Sequence, residues 1–453
     1  MRYAKHLLVT LLLTISGLVA AQNSEAAAFQ EAFLAGELAW EDVLARAAEE
    51  GTVNWFHWGG SEELNTWIDT VVAPAMSELG ITLETSRITN TRDAVDLVVA
   101  DEAAGRGIGE GSVDAIWING ENFATLARQE LTFGSFADLL PNSQYFHFDP
   151  ENPASGPNLF DFGFPTDKEE VPWSGDQYVC YIETERLSRE DAPDDFAELE
   201  ALLRENPGRF TYIRPPHFNG NTFVQTVLYA LNPDGTGAEP FQMNAEDLGA
   251  EEFARLAQPA YDYLKRIEPF LLGGGGAEGE RGSPIYPEND SALDALFTNG
   301  EIDMGCKFGL YFTATNIENG TFSETTENII FPSSGMIKNK NFIGVPANAP
   351  NPAAALVLAN YLSSPENQIS KLATIGYNLG VDADLLSDEQ QAEATEVAPS
   401  LAGITLEELG QATVPDTNAT LIDIIETTWV EYIERQSSEP FTDIVSAAFN
   451  SDE

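Results

Sequence analysis

The spacing of apolar residues in the first third of the chain predicts strands and helices in alternation. A helical period over residues 25–50 is followed by a strand-like run over 53–58, and a second helical period begins after Ser61. Serine directly before such a period is typical of a helix N-cap. The order then repeats twice, with strands over 81–85 and 113–118 and helices from Thr91 and Phe123. Alternating strands and helices favour a parallel α/β lobe.

A loop rich in Pro, Asn and Asp over residues 141–168 separates this part from a second stretch of α/β pattern. Near Phe331 we expect the chain to return to the first lobe. The whole chain is also longer than one hydrophobic core usually serves, which favours two lobes. The remaining predicted elements are strands over 177–182, 210–213, 302–312 and 342–346, and helices over 194–205, 222–231, 251–267, 291–298, 353–362 and 421–435.

The first residues predict a secretory signal. Arg2 and Lys5 precede the apolar run Leu7–Val19, and small residues then lead to Ala21. This is the pattern of a signal that is cleaved after Ala21. A membrane anchor is the alternative, but the run is shorter than the ~20 residues that a spanning helix needs. We therefore expect export across the cytoplasmic membrane into the periplasm.

The two cysteines, Cys180 and Cys306, each lie in an apolar stretch with strand character. In an oxidising compartment they form either a disulfide or two separate buried thiols. The sequence leaves both alternatives open, because it does not fix the distance between them.

The charge is strongly negative, with 73 acidic and 22 basic residues and a net charge of −51. Such a field repels nucleic acid and anionic lipid, so neither is expected as a partner. The acids are spread along the chain, which favours a solvated surface suited to a salty exterior over a surface that collects cations.

Searches for catalytic and cofactor motifs find nothing that has the required context. Gly274, Gly276 and Gly279 match a dinucleotide-binding spacing, but no clean strand precedes them and no helix follows. The histidines are scattered, so a metal site is not expected. With so many acids, any carboxylate pair is possible, and none points to glycoside hydrolysis. The sequence therefore predicts no catalytic residue, no metal and no cofactor.

Three turns that follow predicted strands carry aromatic and polar residues together. In open α/β sheets, ligands bind at the carboxyl ends of strands, where helix N-termini also offer free N–H groups. Glycine and asparagine are ordinary turn residues too, so each turn alone is weak evidence. The candidate ligand-binding residues in these turns are Trp58, Gly59, Gly60, Ser61, Asn119, Glu121, Asn122, His217, Phe218 and Asn219.

Two further residues have two interpretations each. Trp173 lies at a crossing segment and either lines a cleft or packs in a core. Lys307 follows a strand that is expected to be buried, and it either contacts an acidic group of a ligand or neutralises nearby carboxylates.

Several stretches resemble the solute-binding components of ABC importers with the class II periplasmic-binding-protein fold, and most closely the YnjB-like family. The stretch Asp114–Phe123, with Trp-Ile-Asn-Gly-Glu-Asn-Phe, is the most specific. The other matching stretches are Phe56–Ser61, Pro172-Trp173 with Gln177, Pro215–Gly220, Gly300–Met304 and Pro346–Pro352 followed by Ser364-Pro365-Glu366. Gln177 joins the candidate ligand-binding residues on this resemblance.

The resemblance implies two α/β lobes that are joined by a hinge of crossing segments, near 172–177 and 331–336. Lobe 1 would comprise residues 22–174 and about 335–400, and lobe 2 about 175–334 and about 415–453. A small polar solute would be captured between the lobes and delivered to an inner-membrane ABC permease by a monomeric, non-enzymatic protein. The helix starts at Ser61 and Asn219 favour an anionic group and Glu121 favours an amine, so an anionic or zwitterionic solute is expected. A secreted carboxylate-dependent hydrolase and a surface adhesion module are the alternatives.

Overall fold

The computed structural model describes residues 25–277, 282–331 and 335–450. The predicted secretory signal with its cleavage point at Ala21 lies outside the described residues, as does Gly279.

Helices and strands follow one another along most of the described chain. The strands are β1 Thr52–Trp58, β2 Thr82–Ile88, β3 Ala115–Ile118, β4 Phe160–Asp161, β5 Phe164–Pro165, β6 Glu170–Glu183, β7 Met304–Phe308, β8 Thr326–Ile329, β9 Met336–Gly344, β10 Asn378–Leu379 and β11 Thr413–Val414. The first helix covers 25–34. The other α-helices are Trp40–Glu50, Glu62–Trp67, Ala73–Glu78, Arg92–Ala103, Gly120–Arg128, Gly156–Leu159, Phe196–Glu205, Phe218–Leu231, Ala245–Leu248, Ala250–Ile267, Asp290–Thr298, Phe312–Glu318, Pro352–Leu362, Pro365–Ile375, Asp388–Val397, Leu406–Ala412, Ile422–Trp429 and Phe441–Asn450.

The strands of the first third form the parallel arrangement that the alternation predicted. Strand β1 pairs in parallel with β2 on one side and with β3 on the other. Strand β9 then pairs antiparallel with β3. Because β1, β2 and β3 run in the same direction, their carboxyl ends lie at one edge of the sheet.

Strands β6 and β9 connect the two halves of the molecule. They pair antiparallel from Glu170 opposite Gly344 to Gln177 opposite Lys338, with a register irregularity after Pro172. Proline has no N–H to give to a ladder, which accounts for an irregularity at this point. Beyond Gln177, β6 pairs instead with β7 and β8. One long strand therefore belongs to two sheet regions.

The buried apolar residues follow the same division. Val171 and Trp173 in the first half of β6 pack with Trp55 and Trp117. Tyr178, Val179, Cys180 and Ile182 of β6 pack into a different and larger cluster with the helices Phe218–Leu231 and Ile422–Trp429. Each half thus has its own core, as the predicted α/β fold with two lobes requires.

Two sequence predictions of secondary structure were wrong. The helical period over 25–50 is two helices, because the chain turns at 35–39 and Gly36 has a φ of 69°. The strand expected over 210–213 is reduced to one bridge between Phe210 and Met304. Leu272 N–H donates to the Phe210 carbonyl, and the Thr211 hydroxyl donates to the Ile285 carbonyl, so irregular segments hold this backbone in place of a strand partner.

The cysteine alternatives are resolved in favour of a bond. Cys180 of β6 lies directly opposite Cys306 of β7. The two are joined in a disulfide across 126 residues of sequence, and the described residues contain no free cysteine.

Among the residues that the structure describes, no helix combines the length and the apolar character needed to cross a membrane.

Candidate functional site

The turn after β1 packs closely around an indole ring. A Cβ atom added to Gly60 would lie 2.3 Å from Cζ2 of Trp58, so the ring needs glycine at that position. Ser61 caps the following helix as predicted, because its hydroxyl accepts from Leu64 N–H at 3.2 Å. The same hydroxyl donates to Glu63 at 3.0 Å, and Glu62 also lies in the first helical turn. This helix start already carries two carboxylates of its own.

The turn after β3 is fixed by contacts to two other segments. The Asn119 side chain donates to the Lys340 carbonyl at 2.7 Å. Gly120 has a φ of 54° and donates its N–H to the Asp161 carboxylate. Glu121 accepts from the Asn122 side-chain amide at 2.6 Å. The Glu121 carboxylate is thereby held at the carboxyl end of β3.

In the second half, the turn before the helix Phe218–Leu231 is equally well tied down. His217 caps the helix through Nδ1, which accepts from Asn219 N–H at 3.3 Å. The Asn219 side chain donates to Asp290 at 2.5 Å and accepts from Phe308 N–H at 2.7 Å. Burial lowers the pKa of His217, although Asp290 raises it, so the imidazole is held largely neutral. Phe218 remains 45% exposed.

Aromatic contacts run from one core to the other through these turns. Trp117 contacts Trp58 with ring centroids 6.3 Å apart, and Trp58 contacts Phe218 at 6.4 Å. Phe218 in turn contacts Phe308 at 6.4 Å. Trp58 and Phe218 lie on turns from different halves of the chain, so the two halves meet at these rings. We call the region between the two halves at this point the gap.

A group of carboxylates also comes together from the two halves of the chain, and we call it the carboxylate cluster. Its members are Glu121, Asp161, Asp416, Asp423 and Glu426. Glu121 is central to this group. Its charge raises the pKa of Asp161, Asp416 and Glu426, and the charge of Asp423 raises the pKa of Glu121. The helix of Glu121 packs in the first half through Phe123 and Leu126, whereas the helix of Asp423 and Glu426 packs in the second half through Ile424 and Ile425.

Burial and repulsion by neighbouring carboxylates raise the pKa values of four members of the cluster, Glu121, Asp161, Asp416 and Glu426. Burial, and secondarily the charge of Asp423, raises the pKa of Glu121 to about 7. Burial raises the pKa of Asp416 to about 8, with a further contribution from Glu121. The pKa of Glu426 is also raised well above its usual value, chiefly by burial. These carboxylates hold protons near neutral pH unless a positive charge replaces them.

Three of the predicted residues are buried and make contacts within the protein. Trp173 is fully buried and stacks edge-on against Trp117 at 4.7 Å. Gln177 is buried and donates to the Thr413 hydroxyl at 3.0 Å. Lys307 is buried and donates to both oxygens of Asp294, at 2.9 and 2.8 Å. Their contact with a solute stays a prediction.

Several residues at the gap were not found from the sequence. Asp416, Asp423 and Glu426 come from the last part of the chain, where no spacing links them to Glu121. For Arg92 the sequence did contain a signal that could have marked it as a candidate. A basic residue in the first turn of a helix opposes the helix dipole. The Nη1 of Arg92 lies 3.9 Å from Asp423 across the gap, and its Nε donates to Asp96 at 3.0 Å.

The fold and these residues can be compared with known proteins. Residues 70–399 match the family described as bacterial extracellular solute-binding protein. Protein YnjB of Escherichia coli strain K12 is 33% identical over 333 residues, which is 73% of this chain and 79% of YnjB.

Two solved structures show a similar fold. An ABC transporter solute-binding protein from Thermotoga lettingae TMO, bound with α-D-tagatose, has a TM-score of 0.62 at 14% identity, over 88% of this chain and 98% of that chain. The maltose-bound MalE3 of T. maritima has a TM-score of 0.61 at 16% identity, over the same shares of 88% and 98%. These similarities confirm the predicted α/β fold with two lobes.

Proposed function

Because this chain belongs to the bacterial extracellular solute-binding protein family, we propose that it captures a small polar solute between its two lobes and delivers it to an ABC importer. The observation that carries the proposal is the meeting of Trp58 and Phe218 across the gap, with centroids 6.4 Å apart. Rings and polar groups that converge from two folded units are typical of small-molecule clefts.

The lobes we propose are residues 22–174 with about 335–400, and about 175–334 with about 415–453. The separate cores at the two ends of β6 support a division within this strand, whereas Ile369, Leu372 and Ala394 pack with the core of the second half. Since β6 and β9 cross from one core to the other, they are the elements about which the lobes would rotate. Solute that contacts both lobes would favour the closed arrangement over the open one.

The partners follow from the same proposal. The solved structures of similar fold include an ABC transporter solute-binding protein, which supports delivery to an inner-membrane permease. Membership of an extracellular family supports a place in the periplasm. We propose that the protein acts there as a monomer, binds no nucleic acid and catalyses no reaction. Neither the hydrolase nor the adhesion alternative gains support from the comparisons.

The test is a thermal-shift screen of the purified protein against small solutes, followed by calorimetric titration of each solute that stabilises it. We expect at least one solute to raise the melting temperature, since a ligand that binds only the folded state stabilises it. Phe218→Ala should weaken its binding by about tenfold or more, because the aromatic contact between Phe218 and the bound solute would be lost.

Leu406→Ala is the matched control, because Leu406 is exposed at 69% and lies in a different helix from Phe218. Its affinity should equal that of the unmodified protein. Capture in this cleft would be refuted if no solute raised the melting temperature, or if Phe218→Ala and Leu406→Ala bound equally well.

A further inference from the structure

The carboxylate cluster has an excess of negative charge that nothing within it balances. Its five acids are Glu121, Asp161, Asp416, Asp423 and Glu426. Arg92 faces three of them, since its guanidinium lies 3.9 Å from Asp423 and its charge opposes the rise in the pKa of Glu121 and Glu426. That guanidinium is already engaged by Asp96 through Nε at 3.0 Å. The cluster therefore needs either protons or a further cation.

Hydrogen-bond acceptors in and beside the cluster also lack donors. Among the described residues, Asn122 Oδ1, Asp161 Oδ1 and Asp416 Oδ1 are buried atoms with no hydrogen-bond partner. The three residues are 6%, 2% and 4% exposed. The Asn122 amide nitrogen donates to Glu121, so its unpaired oxygen is carried on a group that already contacts the cluster. An unpaired buried acceptor is costly, and a ligand N–H would satisfy it.

The geometry does not suit a metal ion. In the described parts of the chain, no three Asp, Glu, His or Cys side chains stand close enough together to hold one. An organic cation can contact several of these carboxylates through separate N–H donors without drawing three of them around one point. Organic ammonium and guanidinium groups have both the size and the N–H donors.

The cluster is continuous with the aromatic contact. Asn221 donates to Glu426 at 3.1 Å and lies three residues after Phe218 on the same helix. Residues at this spacing are neighbours on a helix surface. A cation held by the cluster would thus lie beside an exposed ring, and aromatic faces attract cations.

We propose that the carboxylate cluster is the subsite for a positively charged organic group of the solute, an ammonium or a guanidinium. The inference rests on the proposed function, since it places that group in the cleft between the lobes. It replaces the expectation of an anionic group at the Ser61 helix start, where Glu62 and Glu63 already occupy the first turn.

The cation would displace protons from the cluster. Without a bound cation, Glu121 has a pKa of about 7 and Asp416 a pKa of about 8. The charged and titratable groups that face Glu121 are Arg92, Asp161, Asp416, Asp423 and Glu426. Cation binding requires the ionised carboxylates, so affinity should rise with pH through this range. The rise is at most about tenfold per pH unit for each proton released.

The experiment compares probes that differ mainly in charge. Putrescine and agmatine are titrated against the diol and the urea of matching chain length and against succinate, in enough salt to screen the acidic surface. We expect the two cations to bind and to raise the melting temperature, and the neutral and anionic probes to bind at least about tenfold more weakly. Calorimetry in buffers of different ionisation enthalpy should show proton release on binding.

Glu121→Gln is the informative variant, because glutamine has the shape of the protonated side chain and so preserves the fold. It should lose about tenfold or more in affinity for the cations. Glu393→Gln removes one charge from an exposed position and should leave the affinity unchanged.

The outcomes separate the two proposals. If the neutral or anionic probes bound as well as the cations, or if Glu121→Gln and Glu393→Gln were equivalent, the cation subsite would be wrong while capture in the cleft stood. If neither cation bound, the subsite would also be wrong. If in addition no solute of any charge bound in the wider screen, the proposed function would fail with it.

Discussion

Gly120 shows how a single backbone position holds the site together. Its φ of 54° lies in the left-handed region, and an added Cβ would lie 2.4 Å from Cδ2 of Phe162. Its N–H donates to Asp161, which places one member of the carboxylate cluster beside another. Any side chain at this position would push the Phe162 ring away from the start of the Glu121 helix.

We expect Gly120→Ala to lower the free energy of unfolding for two reasons, left-handed strain and overlap with Phe162. Gly105→Ala is the matched control, because Gly105 has a φ of 76° but no atom within 4 Å of the added Cβ. The strain alone costs about 1 kcal/mol. Overlap should cost Gly120→Ala about 1 to 3 kcal/mol more. Denaturant unfolding of both variants measures the difference, and equal losses would show that Phe162 moves aside freely.

The sequence was informative about residues whose role is local. Ser61 was predicted as a helix cap because the cap and its partner are three residues apart. The turns at Gly59 and Asn119 were found because turn residues follow strands directly. Asp416 and Glu426 could not be found in this way, since their closeness to Glu121 depends on how the end of the chain packs back on the rest.

Among the elements, β6 connects the two halves of the molecule most directly. Fourteen residues long, it pairs with β9 in its first part and with β7 and β8 in its second. Periodicity predicted only 177–182 of it, because Pro172 and Gly175 interrupt the strand pattern. The strand persists there since β9 supplies a partner from far along the chain. Conversely, Phe210–Ile213 has strand-like residues but hardly any strand partner, so propensity alone failed.

The disulfide between Cys180 and Cys306 fixes β7 against the second part of β6. Because it closes a loop of 126 residues, its removal should increase the conformational freedom of the unfolded chain considerably. We expect Cys180→Ser with Cys306→Ser to lower the free energy of unfolding by about 3 to 5 kcal/mol. Chemical denaturation measures this, with the unmodified protein under reducing conditions as a second sample.

The double serine variant and the reduced unmodified protein should unfold at similar denaturant concentrations. Both concentrations should be lower than the one at which the oxidised protein unfolds. An oxidised protein that unfolded together with the serine variant would mean that the bond contributes nothing to stability.

At the scale of the whole molecule, carboxylates from the two halves face one another, and Arg92 offsets only part of their charge. Glu121 faces Asp423 and Glu426 from the opposite side, and Arg92 is 3.9 Å from Asp423. Protonation of Glu121 and Asp416 removes part of the repulsion, and their pKa values of about 7 and about 8 place this change near neutral pH. With a net charge of −51, the molecule has little positive charge of its own with which to offset it.

The open and closed arrangements should therefore respond to pH when no solute is bound. In the proposed open arrangement water would reach the carboxylates, so their pKa values would fall back toward ordinary ones. The closed arrangement then binds protons more tightly than the open one. The free energy by which protonation favours the closed arrangement is fully present at pH values below the ordinary pKa values. It is lost as the pH rises through the raised pKa values.

We expect the radius of gyration from small-angle X-ray scattering to increase between about pH 4 and about pH 8 in the solute-free protein, which is the range between the ordinary and the raised pKa values of Glu121 and Asp416. Glu121→Gln combined with Asp416→Asn should show a smaller increase, because these two side chains then stay neutral at every pH and only Asp161 and Glu426 of the groups with raised pKa values in the cluster still titrate. Added salt should reduce the increase in the unmodified protein by screening the repulsion. A radius that did not change with pH in the unmodified protein, or that changed equally in the double variant, would show that other contacts set the distance between the lobes.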